Sequence, residues 1–244
     1  RDLRMSRGLG DVYKRQYLHD NISLEDENSM ATYSVGGLIL SNSGMITSNY
    51  WLSEVYDAQI TNAHKNGDLY IHNINMLTGC SADWSLEDLI LKGLPSVNKM
   101  ISSLPAKHLS TLCNQMVNFL GIMQNEWASA QSFAHFDTLL VPFIHQDKLS
   151  VKMVSDCLES FIYGINIPSR WGTQAPFSQI TLDWNVPQEF INKKAIVAGG
   201  ECDFTYGDCQ KEMKILHDAL FEVINKGDIS GRGFQFPIIA LYLN

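Results

Sequence analysis

Apolar positions recur along this chain with two periods. Residues 48–67 place Leu52, Val55, Tyr56, Gln59, Ile60 and Ala63 on one side at helical spacing, and Gly67 stops the run. Residues 68–74 carry Leu69 and Ile71 two apart, which predicts a short strand. A short helix is expected over 84–92, ended by Gly93. Beyond Pro105 the signal strengthens: Leu109, Leu112, Met116, Phe119, Leu120 and Met123 fall three and four apart, giving one continuously apolar helix face. A second such helix opens at the N-cap residue Ser150, with Val154, Leu158, Phe161, Ile162 and Ile165 inward.

Residues 178–184 alternate instead. Ile180, Leu182 and Trp184 share one face while Gln179, Thr181 and Asp183 share the other, so the predicted strand presents polar side chains somewhere. Residues 206–226 return to helical spacing through Met213, Leu216, Leu220, Val223 and Ile224, with Gly227 as the stop. The almost wholly apolar run 234–243 predicts a strand covered on both faces, with Pro237 at a bend or entry point. Strands separated by long helices argue for an α/β layout with a parallel sheet or barrel.

Composition narrows the class. The 244 residues are 45% hydrophobic and 18% charged, enough to fill a core. The net charge of −8 conceals a seam, because residues 1–16 hold five basic residues and two acids while the other 228 residues carry −11. A body that acidic repels phosphate backbones, which argues against nucleic-acid binding. The head, 1–16, has no apolar period that continues past residue 17 and is expected to be foreign to the fold, leaving 17–244 as the folded chain. No apolar run is long enough for a membrane span: the longest uncharged stretch, 108–125, is interrupted by Asn, Gln, Ser, Thr and His. Five widely spaced cysteines (80, 113, 157, 202 and 209), with no C-x-x-C pair, suit a reducing, cytoplasmic interior. Cys202 and Cys209 have no second ligand pair nearby, so no zinc site is expected from them.

The phosphate-loop, dinucleotide, H-E-x-x-H and G-x-S-x-G motifs are absent. Four segments instead combine uncharged hydrogen-bonding groups with aromatics and glycines: 127–138 (WASAQSFAHFDT), 168–177 (PSRWGTQAPF), 206–213 (YGDCQKEM) and 227–237 (GDISGRGFQFP). Pocket walls that hold a polar ligand look like this.

On these segments the sequence resembles the anaerobic, oxygen-sensitive class of ribonucleoside-triphosphate reductases in the glycyl-radical enzyme superfamily. The similarity starts near Glu27-Asn28, ahead of a Y-S-x-x-G-L stretch at 33–38, and continues through Ala63-His64, Gly67-Asp68 and Ile71-His72 to Leu243. The resemblance implies a ten-stranded α/β barrel, of which this chain would be the N-terminal, incomplete part, in a homodimer that reduces ribonucleoside triphosphates to their 2′-deoxy forms. It implies a thiyl radical generated from a glycyl radical, which a radical-SAM activating enzyme installs. Formate or a redoxin supplies the electrons, and deoxynucleotides or ATP act as effectors. The radical-cysteine loop, the four-cysteine zinc site and the glycyl-radical loop would lie beyond residue 244, so the chain alone is expected to be inactive.

A second thiol on the first barrel strand is implied within this stretch, and Cys80 is the candidate. The family pattern places that cysteine two residues before a Gly-Trp, which falls on Ser81, and a one-residue shift turns a strand side chain to the other face. A plain buried cysteine is the alternative at 80. Asn28, His72, Arg170 and Ser178 are the substrate-binding candidates, with Gln131 and Gln174 as further pocket donors. Arg170 suits either triphosphate oxygens or a carboxylate such as Asp183. The helices over 108–123 and 150–165 fit plain core, a dimer contact or an effector site. The chain departs from the family at Asn73 for Asp, at Cys209 for Phe in G-D-F-Q, and at Ile239-Ala240 for Pro-Thr. Two rival readings are a glycyl-radical enzyme with another substrate and a non-catalytic paralogue that binds nucleotide or dimerises.

Overall fold

In the computed structural model the described residues are 35–76, 78–94, 102–169 and 174–242, and they fall into two units. The first takes residues 1–80 and 168–175, the second 81–167 and 176–244.

In the first unit, helix α1 (Val35–Tyr50) runs into a π-helical turn, Trp51–Val55, and helix α2 (Ala58–Asn66) comes next. The single helix expected from residue 48 is therefore two, and the first begins well upstream, where the glycines and serines of 35–50 hide the period. Asp57 divides them, its side chain accepting from Ile60 N–H at 2.9 Å as the N-cap of α2. Gly67 closes α2 in the left-handed region at φ 83°. The strand expected over 68–74 is a series of turns. Ile71 N–H donates to His64 Nδ1 at 3.3 Å, and Leu69 and Tyr70 stay exposed, so the alternation there meets no partner strand among the described residues.

The second unit is a four-stranded parallel sheet in the order β1 (Ala82–Trp84), β2 (Gln131–Phe133), β3 (Ser178–Leu182), β6 (Ile238–Leu241). Each strand joins the same growing edge, and the intervening helices return the chain: α3 (Leu86–Lys92), α4 (Leu109–Met123), α5 (Phe136–Asp147), α6 (Val151–Ile165) and α8 (Gln210–Lys226). A one-turn helix α7 (Gln188–Ile191) and an antiparallel hairpin, β4 (Lys194–Val197) with β5 (Gly200–Thr205), lie between β3 and α8. Trp84 belongs to β1, and α3 starts after its cap Ser85, whose hydroxyl accepts from Asp88 N–H.

The core lies between one sheet face and the helices. Phe119 of α4 packs against Trp84 at 5.2 Å and Phe133 at 5.9 Å between ring centroids. Ser178, Ile180 and Leu182 of β3 point the same way and are buried. Helix α6 packs against α4 and α8, with Val154, Leu158, Phe161, Ile162 and Ile165 all buried as the pattern predicts. Helix α5 is buried from Phe136 to Ile144, all round, which is why it shows no amphipathic stripe. Strand β6 is less covered than expected, because it is the edge of the described sheet: Ile238 is 43% and Leu241 51% exposed.

Candidate functional site

The sheet has a second face, and its chemistry is different. The pairing register aligns Asp83 with Ser132, Ser132 with Gln179, and Gln179 with Ile238. One pleat further on, Thr181 pairs with Ala240. Because successive strand residues point to opposite faces, all of these lie opposite the helix-packed row of Trp84, Phe133 and Ile180. Central parallel strands are ordinarily apolar on both faces, so a row of carboxylate, hydroxyl and amide marks a surface kept for polar contact. The Ser132 hydroxyl donates to Asp83 Oδ1.

The carboxyl ends of β2 and β3 are pinned by buried side chains. His135, two residues past β2, sits at φ 52°, and Trp184, two past β3, at φ 67°. Such values are costly for residues with a Cβ and persist only where the surroundings impose them. Asp137, fully buried, accepts from Thr138 N–H (2.9 Å), Asp183 N–H (2.9 Å), Trp184 N–H (3.0 Å) and His217 Nε2–H (2.8 Å). Asp183 in turn accepts from Thr138 Oγ1 at 2.6 Å and His135 Nδ1–H at 2.9 Å. The Trp184 indole stacks on His217, 4.7 Å away and 10° from parallel. Sequence reasoning named Asp183 on the polar face of the strand over 178–184 and as a partner for Arg170, whereas the strand ends at Leu182 and Asp183 is buried. Of the rest, His135, Asp137 and Thr138 lay inside the polar-aromatic segment 127–138, the signal by which they were findable.

The candidates named from sequence are divided between the two units. Cys80 is exposed, two residues before β1, and Asn73 Nδ2 lies 3.6 Å from its sulfur. The regular pleat starts at Ala82, so strand alternation does not dictate the direction of residue 80, and Ser81 is exposed as well. His72 belongs to the same unit as Cys80 and meets Tyr70 edge-on at 4.8 Å. Ser178 and Gln131 are register partners on the helix-packed face. Gln131 is consumed there, its Oε1 accepting from Trp84 Nε1 at 3.0 Å and its Nε2 donating to Leu120 O at 3.3 Å. The Ser178 hydroxyl is buried and has no hydrogen-bond partner among the described residues. Gln174 accepts from Ser169 N–H through its backbone at 3.0 Å. Asn28 and Arg170 lie outside the described residues.

Among the described residues no three His, Cys, Asp or Glu side chains gather so as to hold a metal ion. No helix of the described residues is long and apolar enough to cross a membrane. Burial pushes the thiols of Cys113 and Cys209 up, Cys209 to about 12, which leaves both as neutral core groups.

A parallel sheet with helices on one face and a polar row on the other is a mixed α/β layout, not an all-β sandwich. Compared with known families, residues 27–244 match anaerobic ribonucleoside-triphosphate reductase, and the chain belongs to that family. Among solved structures it is similar to the anaerobic ribonucleotide reductase from Thermotoga maritima with dATP bound in the specificity site (TM-score 0.68, 20% identity, 85% of this chain and 37% of that one). The same enzyme in complex with dATP and CTP gives TM-score 0.66 at 20% identity, over 84% of this chain and 36% of that one. A further anaerobic ribonucleotide reductase gives TM-score 0.71 at 19% identity, over 96% of this chain and 40% of that one. The chain thus spans less than half the length of these solved relatives. No curated protein matches it.

Proposed function

We propose that this chain forms the first wall of the catalytic barrel of an anaerobic ribonucleoside-triphosphate reductase, and that the polar face of its sheet lines the substrate cavity. The observation that carries the reading is the family match over 27–244 joined to a sheet whose one face bears Asp83, Ser132, Gln179 and Thr181. The radical chemistry, installed by a radical-SAM activase on a glycine outside this stretch, supplies removal of the 3′ hydrogen that no closed-shell side chain can achieve. Formate or a redoxin provides the two electrons while the 2′ hydroxyl leaves as water. This chain's own residues orient the ribose, exclude water and offer a thiol. Cys80 is that thiol: it is exposed, and Asn73 Nδ2 is placed to donate to its sulfur. His72 and, outside the described residues, Asn28 and Arg170 are proposed substrate contacts. Ser178, with its buried hydroxyl, would act from behind the sheet. A homodimer with deoxynucleotide or ATP effectors, working in the cytoplasm, completes the reading.

The test is deoxynucleotide formation under strict anaerobiosis by the full-length protein with its activase. Cys80→Ser should abolish turnover while leaving nucleotide binding in place. Retained turnover in Cys80→Ser would move the role to another thiol, and turnover by the 244-residue chain alone would overturn its assignment as a part of the machine.

A further inference from the structure

The polar-aromatic segment 227–237 leads into β6, and one side chain holds its end. Asn166, the C-cap of α6, lies 70 residues before Phe236 in the chain. Its Oδ1 accepts from Gln235 N–H at 3.1 Å and from Phe236 N–H at 3.0 Å. Its Nδ2 donates to Phe236 O at 2.7 Å and to Ile162 O at 2.8 Å. Both donors and both acceptor positions of the amide are used, and only one orientation of it satisfies all four. Among the described residues, Gln235 and Phe236 bond no other backbone group. The remaining contacts are between rings: Phe236 meets Phe177 at 5.2 Å and Phe234 meets Tyr163 at 5.0 Å. Apolar attraction is not directional, so these contacts do not by themselves fix the chain to the residue.

Strand β6 lacks the means to set its own place. Ile238, Ile239, Ala240 and Leu241 are all apolar and none is buried, so no alternation tells one face from the other. Register is weakly specified in such a strand, and a slip of one residue turns every side chain over. In the observed register Ala240 stands beside Thr181 on the open face, while Ile239 and Leu241 stand beside Ile180 and Leu182 on the helix-packed face. A slip in either direction brings Ile239 or Leu241 beside Thr181, and a branched side chain fills the space that Ala240 leaves.

We propose that Asn166 is the positioning residue for β6: its amide sets the register in which this strand pairs with β3, keeps Ala240 on the open face and fixes where the chain leaves the sheet after Leu241. The link to catalysis rests on the reductase reading, in which the open face is the substrate side; the register lock itself does not. Hydrogen bonds suit the task because they are lost at the next register. A shift of one residue moves a strand by about 3.3 Å, further than any of these bonds can stretch. Pro237, with no N–H, supplies no donor of its own between the clamp and the strand.

The test reads register directly in the 244-residue chain. Thr181→Cys is combined with Ala240→Cys as the in-register pair, and with Ile239→Cys or Leu241→Cys as the slipped pairs. Each is treated with dibromobimane, which bridges only thiols that stand side by side, and the products are mapped by peptide mass. With Asn166 in place the in-register pair should bridge and the slipped pairs should not. Asn166→Ala should raise bridging of a slipped pair by about tenfold relative to the in-register pair, the equivalent of about one net hydrogen bond. Asn166→Asp keeps both acceptor contacts and loses both donors, so its slipped fraction should fall between the two. The aspartate variant decides the matter if circular dichroism shows that the alanine variant does not fold. Bridging confined to the in-register pair in the folded variants overturns the register lock. In the full-length protein with its activase, Asn166→Asp should lower deoxynucleotide formation several-fold while the glycyl-radical signal in electron paramagnetic resonance stays unchanged, whereas a general loss of folding lowers both. Unaltered turnover in a variant whose cross-links show slippage overturns the link between register and the open face. If the full-length protein with Asn166 intact forms no deoxynucleotide, the reductase reading fails, and the cross-links still decide the register lock.

Discussion

His217 Nε2 donates to Asp137 Oδ2 at 2.8 Å, joining α8 to the first turn of α5 across 80 residues of chain. Both side chains are buried, and the same carboxylate holds the backbone N–H groups of Asp183 and Trp184 where β3 ends. The carboxyl end of β3 is thus defined by a side chain on one helix and steadied by a histidine on another. Asp137→Ala leaves three backbone N–H donors, two of them buried, and one buried imidazole without an acceptor, and should cost about 3–5 kcal/mol of stability, read as a fall in the urea midpoint. Asp137→Asn should also destabilise, because its amide nitrogen must face one of those donors. The fluorescence of Trp184, stacked on His217, should change in both variants.

A second relationship fixes how closely two helices approach. A Cβ on Gly164 of α6 would stand 2.7 and 2.9 Å from the two methyls of Val117 on α4. Valine is stiff about χ1 and cannot swing aside. Gly164→Ala should therefore destabilise by about 1–3 kcal/mol despite the better helix propensity of alanine. The double variant with Val117→Ala should recover much of the loss. A Gly164→Ala protein as stable as the unaltered one in thermal unfolding would show that the helices separate without penalty.

The helices and β3 were legible where burial is one-sided. Helices α4, α6 and α8 and strand β3 each bury one face, so their periods survive in the sequence. Helix α5 was not legible: it is apolar all round, contains Pro142, and its polar members Asp137 and Thr138 are buried rather than solvent-facing. Strands β1 and β2 are three residues long, too short to show alternation. The β4–β5 hairpin turns through Ala198 and Gly199 at φ 55° and 79°, and an alanine in that region does not announce a turn. For the site, residue types in 127–138 pointed to a polar pocket wall, but the partition came only from the register, which sends Gln131 to the core and Ser132 to the open face.

Two carboxylates, exposed Asp208 and half-buried Asp228, should contribute to acid sensitivity. Asp208 lies below the usual carboxylate range because Thr205 N–H and then the Thr205 hydroxyl donate to it, at 2.8 and 2.9 Å. Asp228 lies low chiefly because Arg232 N–H donates to it, with Ser230 N–H and the Arg232 charge adding to the effect. A carboxylate whose folded pKa is depressed stabilises the fold above its unfolded pKa of about 3.9, and that contribution is lost as pH falls through the lower folded value. Asp208→Asn and Asp228→Asn should therefore lower the urea midpoint at pH 7 and approach the unaltered protein near pH 3. A deficit of equal size at both pH values would mean that lost packing, not lost charge, is responsible.

The five thiols should react in an order set by exposure and burial. Cys80 is exposed, Cys157 and Cys202 are partly covered, and Cys113 and Cys209 are buried. Burial raises Cys157 and Cys202 above the ordinary thiol value and drives Cys209 to about 12, with nearby Glu212 adding to the rise. At pH 8 a thiol held at 12 is ionised in only roughly one molecule in ten thousand, and only the thiolate attacks an alkylating reagent. Iodoacetamide at pH 8 should therefore label Cys80 first, Cys202 and Cys157 more slowly, and Cys113 and Cys209 only when urea unfolds the chain. Peptide mass mapping over time reads this order directly. Early labelling at Cys209 would mean that the turn at 206–209 opens in the native state. Protection of Cys80 as strong as that of Cys113 would mean that the thiol proposed for catalysis is closed off in this chain.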